Sequence, residues 1–464
     1  MNLLKNRYYI LISFSIVFGW IMSFPYEGPV MYALAGDKGV NGVDLNTLTV
    51  FLHFAGLFCG RYITKNISSA KRNMLICTGG SIVLSSFIPF ISMKGWMIII
   101  PLVSFLTGIT ITSNGQMIKK YIPSKDRNKF VADILIYGNI VLIGAHIFAN
   151  NTSPIISFVF IEIILVIAFI VTFRIDINEE TLKSPSKRFQ GKSILKTYWI
   201  FFLFIFLITI NSGIMFQVIY PYFGQFELLT SIYTNIPYII AIYILSRLIK
   251  MNKFYFLYVG LALWGITFIL FSILGQTALS FIIICTVMLF ACGIFDFFWW
   301  SIMADNFDYV KNPSSLFGLG LSINVLGVWV GGFVGNYLVS IGIDKQGLSS
   351  VGLLIVFISM LIILPLNSRL VQTFDQNEFL VKIKYVNTKE IESYIRDVES
   401  LLTRREWDVF NLLILGKTDS YISKELYIST HTVKTHNRNI YKKLNVSNRV
   451  QLISKITDRQ LGAS

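Results

Sequence analysis

The first 370 or so residues repeat one pattern, apolar runs of about twenty residues separated by short polar connections. A run of that length crosses the ~30 Å hydrocarbon core of a bilayer as a helix. Twelve spans are predicted, at 8–24, 44–64, 73–92, 95–117, 129–150, 154–173, 197–220, 228–249, 254–275, 278–303, 316–340 and 348–368. The longest cytosolic-type connection, 174–196, divides them into halves 1–173 and 197–369.

The charges divide the chain differently. Mean hydropathy is +0.64, yet net charge is +15. Up to Phe379 roughly 11% of residues are charged, against roughly 28% from Leu380 to Ser464, a value ordinary for soluble domains. The expected organisation is a membrane domain over 1–369, a linker over 370–400 and a soluble domain over 401–464. This excludes a single soluble enzyme, a disordered chain and a secreted disulfide scaffold. Cys59, Cys77, Cys285 and Cys292 all lie in apolar runs and read as buried hydrophobic residues.

Loop charge sets the orientation. With the N-terminus inside, cytosolic segments hold Lys5, Arg7, Lys65, Lys71, Arg72, Lys119, Lys120, Lys125, Arg127, Lys129 and ten further cations from Arg174 to Lys311, whereas outer loops hold only Lys38, Lys94 and Lys345. Both termini are then expected in the cytoplasm. A cleaved leader is the rival reading of the N-terminus, but Ala33-Leu34-Ala35 lies about ten residues beyond the first apolar run, which is itself long for a leader.

The six-plus-six division around a basic loop resembles the major facilitator superfamily, two helical halves around a midplane cavity. Gly60-Arg61-Tyr62-Ile63-Thr64-Lys65 with Lys71-Arg72 stands where that family carries a Gly-rich basic loop, without the family's Asp; Arg247, Lys250 and Lys253 fill the matching place in the second half. The resemblance implies an all-α polytopic bundle. A carboxylate inside a span normally faces a cavity or a partner. Asp296, Glu162, Asp133 and His53 are therefore candidate ligand- or proton-site residues, with Trp299 and Trp300 beside Asp296 suited to a cationic or aromatic ligand. Their alternative role is an interhelical hydrogen bond or, for the acids, a protonated carboxyl. Gly327, Gly331 and Gly335 recur every four residues, which predicts close helix packing.

The tail predicts three or four short helices. Thr403 and Glu406 form a capping box, with Val409, Leu412 and Leu413 as the apolar face of the helix and Gly416 as its end. Thr418 opens a second helix with Ile422 and Leu426 inward, Tyr427-Ile428 is a turn, and Ser429 caps a third over roughly 430–444. In that helix Val433, Ile440 and Leu444 make a core stripe, while Lys434, Arg438 and Lys442 recur on another face. Val450, Leu452 and Ile453 mark a fourth helix. A buried side and a basic side behind a turned helix make a helix-turn-helix. Leu402-Thr403-Arg404-Arg405-Glu406, Ile422-Ser423-Lys424-Glu425-Leu426, Thr432-Val433-Lys434-Thr435-His436 and Ile440-Tyr441-Lys442-Lys443-Leu444 stand in register with the LuxR-type DNA-binding domain, which this stretch resembles. The resemblance implies that Lys434, Thr435 and Arg438 reach base edges and that Thr432, His436, Lys442 and Lys443 hold phosphates. It also implies a homodimer through the fourth helix on an inverted-repeat operator in double-stranded DNA.

Fusions of this kind occur in bacteria. The expected protein is a multi-pass regulator of the inner membrane, embedded in the lipid bilayer, with a sensing membrane domain for an unknown small-molecule ligand and a DNA-binding tail. No receiver domain fits between Phe379 and Leu402, and no cofactor, metal spacing or catalytic motif is present, so no enzyme is expected. The alternatives are a transporter with a regulatory tail and a membrane anchor that merely holds the tail.

Overall fold

The computed structural model describes residues 2–26, 28–37, 43–177, 194–226, 229, 233–247, 253–384, 398–414, 417–449 and 451–452. These residues are helix, turn or irregular, with no strand among them. They pack into two units, Met1–Asn367 and Ser368–Ser464.

The first half of the larger unit comprises α1 (Asn2–Ser23), α2 (Pro29–Asp37), α3 (Val43–Ile63), α4 (Ile67–Ser85), α5 (Met93–Tyr121), α6 (Arg127–Asn151) and α7 (Pro154–Phe173). The second comprises α8 (Ile194–Ile214), α9 (Tyr220–Tyr222), α10 (Asn235–Arg247), α11 (Lys253–Ile273), α12 (Ala278–Asp305), α13 (Pro313–Ser340) and α14 (Lys345–Lys384) as far as Asn367, the rest of that helix falling in the smaller unit. Each of the twelve predicted segments contains a described helix. Among the described residues, nine helices are long and apolar enough to cross a membrane, and α3 contributes a shorter apolar stretch at Thr47–Ile63.

The outward faces of these helices are apolar. Ile76, Ile163, Phe357 and Leu361 are all more than half exposed. Soluble monomers do not expose contiguous apolar patches on this scale, whereas lipid tails cover them at no cost. Cys59 lies on this outer surface and Cys292 is only partly buried, unlike the buried Cys77 and Cys285; around Cys59, one face of α3 meets no neighbour among the described residues.

Helix edges depart from the hydropathy pattern where polar residues do the work. The α4 helix begins six residues before the predicted span because the Asn66 side chain accepts the Ser69 N–H at 2.8 Å and Ser69 Oγ accepts the Asn66 N–H in return. Pro29 at its first turn starts α2 between the first two predicted spans. Before Pro221, which has no N–H to donate, the backbone widens into a π turn at Met215–Ile219. The α14 helix runs on to Lys384, well past the predicted span end at 368, since no Gly or Pro interrupts 366–384. Of the predicted linker, residues 385–397 lie outside the described residues.

Small residues set the closest approaches. A Cβ on Gly331 would stand 2.0 Å from the Ile210 carbonyl oxygen, and one on Gly327 2.0 Å from Thr209 Oγ1, so α13 and α8 touch backbone to backbone along the predicted glycine ridge. The two halves meet chiefly where α13 packs on α3 and α5, and where α6 packs on α10 and α12.

In the smaller unit, α15 (described over 398–401) leads to α16 (Arg404–Ile414), α17 (Asp419–Glu425) and α18 (Thr430–Lys443). Val398, Val409, Phe410, Leu413, Ile422, Val433, Ile440 and Leu452 form the core, each at most 1% exposed. Leu412 and Leu426, predicted as inward, pack at its margin. Gly416, Val450 and Ile453 lie outside the described residues.

Candidate nucleic-acid interface and candidate ligand cavity

Ser429 starts the helix that carries the predicted base-reading residues. Its Oγ accepts the Thr432 N–H at 3.0 Å and lies 2.8 Å from the Thr432 hydroxyl, which occupies one of the orphan donors at a helix start. The helix then sorts its residues by face. Val433, Asn437 and Ile440 are buried, whereas Lys434, Thr435, Arg438 and Lys442 are exposed. The buried Asn437 donates to Asp419 Oδ1 at 2.9 Å and so ties α18 to the start of α17, where Thr418 Oγ1 accepts the Tyr421 N–H at 3.2 Å. Between the two helices Tyr427 takes a left-handed backbone (φ 54°), and the Ile428 N–H donates to the Ser423 carbonyl at 3.0 Å. Asn445 takes the same conformation after α18 (φ 50°); Asn tolerates it better than most residues.

Lys434 and Arg438 stand one turn apart on the exposed face, and with Lys442 they make no side-chain hydrogen bond or ion pair among the described residues. They are free to meet an external anion or base edge. Thr435 donates its hydroxyl to the His431 carbonyl at 3.1 Å. His436 is half-buried, and its Nδ1 has no partner among the described groups. Lys443 is placed differently from its neighbours, with Nζ 2.6 Å from Oε2 of Glu406, a residue only 4% exposed. That same oxygen accepts the Thr403 N–H at 2.9 Å, and the Glu406 N–H reaches Thr403 Oγ1 at 3.4 Å. Burial pushes the Glu406 carboxyl up, but the bonds from Lys443 and Thr403 outweigh it and hold the group below its ordinary range. Lys443 therefore fastens α18 to α16 within the domain.

In the larger unit a cavity of about 560 Å³ is lined by α1, α3, α6, α8, α10, α12 and α13, drawn from both halves. Asp296, Trp299, Trp300 and His53, four of the predicted residues, line it. Tyr238 donates its hydroxyl to Asp296 Oδ2 at 2.6 Å. His53 Nδ1 lies 3.0 Å from the Ser104 carbonyl oxygen, which accepts its N–H. Trp300 is held among Phe14, Phe18 and Phe317, with its ring centroid 5.2–6.0 Å from theirs. Glu162 and Asp133 stand elsewhere. Glu162 accepts the Ser85 hydroxyl at 2.9 Å between α7 and α4, and Asp133 pairs with Arg247 at 3.7 Å between α6 and α10. The cavity also takes in Asn139, His146, Tyr220, Tyr238, Asn324 and Trp329, which carried no charge or motif to mark them.

The lining residues run from mid-bundle to the end opposite the basic connections. At the basic end the halves are clamped. Arg127, 3% exposed, donates to both Asp308 oxygens at 2.7 and 3.0 Å, and also to the Ala304 carbonyl across the seam. Asn312 caps α13 and donates to the Thr64 carbonyl at 2.8 Å, while Gln116 donates to Asn312 Oδ1 at 2.9 Å. The connection that lacks the family's Asp is thus held through its carbonyls by an amide from the other half.

Residues 400–456 match the family model of bacterial regulatory proteins of the luxR family. The HTH-type transcriptional regulator MalT of Vibrio cholerae is 41% identical over 80 residues, 17% of this chain and 8% of that protein. The CsgBAC operon transcriptional regulatory protein of Escherichia coli is 44% identical over 59 residues, 13% of this chain and 27% of that protein. The chain spans less than a third of the length of each of these relatives. Over the helical bundle, the fold is similar to that of the human organic anion transporter MFSD10, with a TM-score of 0.58 at 12% identity over 78% of this chain and 98% of that one. It is similar also to a bacterial homologue of the iron transporter ferroportin in an outward-facing state, with a TM-score of 0.60 at 11% identity over 79% and 100%. At such identities the likeness is one of fold. The chain thus joins a LuxR-type helix-turn-helix domain, a DNA-binding module of transcription regulators, to a major-facilitator-like bundle with helices of membrane-spanning length.

Proposed function

We propose that the chain is a one-component transcription regulator embedded in a bacterial inner membrane, with both termini in the cytoplasm. The membrane bundle senses a small molecule, and the tail binds an operator in double-stranded DNA as a homodimer. The observation that carries this reading is that one chain holds both a two-half cavity of about 560 Å³ and a helix with Lys434, Arg438 and Lys442 unpaired on its exposed face. The volume falls in the range of small-molecule sites, ~300–1,000 Å³.

In the proposed mechanism the ligand biases an equilibrium between the state clamped at the basic end and one opened there. It shifts that equilibrium only by its differential affinity for the two states. The α14 helix leads from the bundle toward the tail and carries the change to the pairing of DNA-binding domains. Lys434, Thr435 and Arg438 read bases; Thr432, His436 and Lys442 hold phosphates, and Lys443 adds charge while keeping its internal pair.

Chromatin precipitation of the full-length protein tests the DNA reading. Enriched sites sharing an inverted repeat, lost in Arg438→Ala at equal protein level, support it; enrichment unchanged in Arg438→Ala contradicts it. The transporter-like fold and its cavity favour one second reading, a transporter with a regulatory tail. Saturable uptake into proteoliposomes, lost in Asp296→Ala, would establish that instead.

A further inference from the structure

We propose that the central cavity takes an organic cation, a protonated amine or quaternary onium group carried on an aromatic or branched apolar body. The proposal rests on the reading of the cavity as a ligand site and names what enters it. Among the described lining residues Asp296 is the sole carboxylate, and there is no lysine or arginine among them. An anion entering would meet a negative charge and find no cation to pair with. With a neutral guest that acid must either stay charged and uncompensated, which is costly in a low-dielectric interior, or take up a proton, whereas a cation keeps it ionised and paired.

Asp296 is also only half used by the protein. Oδ2 accepts the Tyr238 hydroxyl at 2.6 Å, while Oδ1 takes no hydrogen bond from a described residue. The walls suit an onium group. Tyr26, Phe216, Tyr220 and Trp329 are partly exposed rings lining the same space, and aromatic faces attract cations by their quadrupole. A hydrated divalent metal is a poorer fit, since no group of three His, Cys, Asp or Glu residues suited to a metal occurs among the described residues. Divalent ions prefer several oxygen ligands and keep their water.

The test is binding of radiolabelled tetraphenylphosphonium to the full-length protein in nanodiscs, read by scintillation proximity. Tetraphenylborate, nearly the same shape with the opposite charge, serves as competitor. Saturable binding is expected, displaced by unlabelled tetraphenylphosphonium and by tetrabutylammonium, but at least tenfold less well by tetraphenylborate. Asp296→Asn is expected to weaken binding at least tenfold, and Glu162→Gln, which removes a carboxylate of the bundle outside the cavity, to leave it within about threefold. The charge pair needs no variant, so a misfolding Asp296→Asn does not spoil the result. Equal displacement by the borate, unchanged affinity in a monodisperse Asp296→Asn, no saturable binding, or displacement by micromolar divalent metal would each overturn the proposal. The sensor reading fails separately. Tight cation binding with no change in reporter transcription would sink sensing and leave the ligand class standing.

Discussion

Replacing Asp308 with alanine leaves the Arg127 guanidinium buried at the seam between the halves with its carboxylate partner gone. Removing one partner of a fully buried ion pair costs about 3–5 kcal/mol. Arg127 is 3% exposed but the Asp308 side chain is 30% exposed, and the guanidinium keeps bonds to the Ile122, Ala304 and Lys119 carbonyls. About half the buried-pair value, ~2 kcal/mol, is therefore the expected loss for the clamped state. At ~1.4 kcal/mol per factor of ten this moves the equilibrium roughly 25- to 30-fold. An opened state populated at about 1%, within the usual range for minor conformers, then rises to roughly a fifth. Ser314, fully buried on α13 where a Cβ on Gly115 would stand 2.9 Å from its Cα, reports the opening. With the four native cysteines replaced, Ser314→Cys in nanodiscs should react with a maleimide roughly twenty times faster when Asp308→Ala is added. The Arg127→Ala/Asp308→Ala double variant should react more slowly than Asp308→Ala, because no buried charge is then stranded. An unchanged labelling rate in folded Asp308→Ala, or equal rates in the single and double variants, would refute the clamp.

Arg438→Ala should relax discrimination between operator and mismatched sites by about 1–3 kcal/mol in a mobility-shift titration, with nonspecific affinity changed far less. Lys442→Ala should weaken all DNA sequences alike and lower the slope of log affinity against log salt by about 0.9. Lys443→Ala should in addition cost the domain about 1 kcal/mol of stability, since it frees Glu406, and so raise amide exchange in α16. The Glu406 carboxyl is held below its ordinary value of 4.5, so its contribution is fully present above that pH and is lost as pH falls through the lower folded value. Exchange protection of α16, corrected for intrinsic rate, should fall below about pH 4.5 in the native chain and stay flat there in Glu406→Gln. Gly331→Leu should separate α8 from α13 and abolish a monodisperse preparation, whereas Gly36→Ala, at a site with nothing within 4 Å, should be neutral.

Hydropathy carried most of the bundle, because a residue facing lipid and one facing a protein neighbour are both apolar. The same fact hid the cavity. Asp296 and Glu162 are each one acid in an apolar run, and only the rotation of each helix against its neighbours turns one to the cavity and the other to Ser85. Asn139, His146 and Tyr238 have no sequence signal at all, since their role depends on α6 and α10 facing each other across the seam. In the tail the core stripe of Val433, Ile440 and Leu444 followed from helical spacing. The pairing of Lys443 with Glu406 did not, since the two are 37 residues apart and Lys443 continues the basic series of its neighbours. The length of α14 is not legible in hydropathy, because polarity after Leu366 ends a membrane span without ending a helix.

The central claim is that the state of the bundle governs the tail. Its most direct test measures the affinity of full-length protein in nanodiscs for an operator fragment recovered by chromatin precipitation, comparing wild type with Asp308→Ala once labelling of Ser314→Cys has shown the basic end to open. The account predicts an affinity change of at least tenfold, with the double Arg127→Ala/Asp308→Ala variant between the two. Identical affinities in variants whose bundles differ in opening would contradict it and leave the bundle as an anchor.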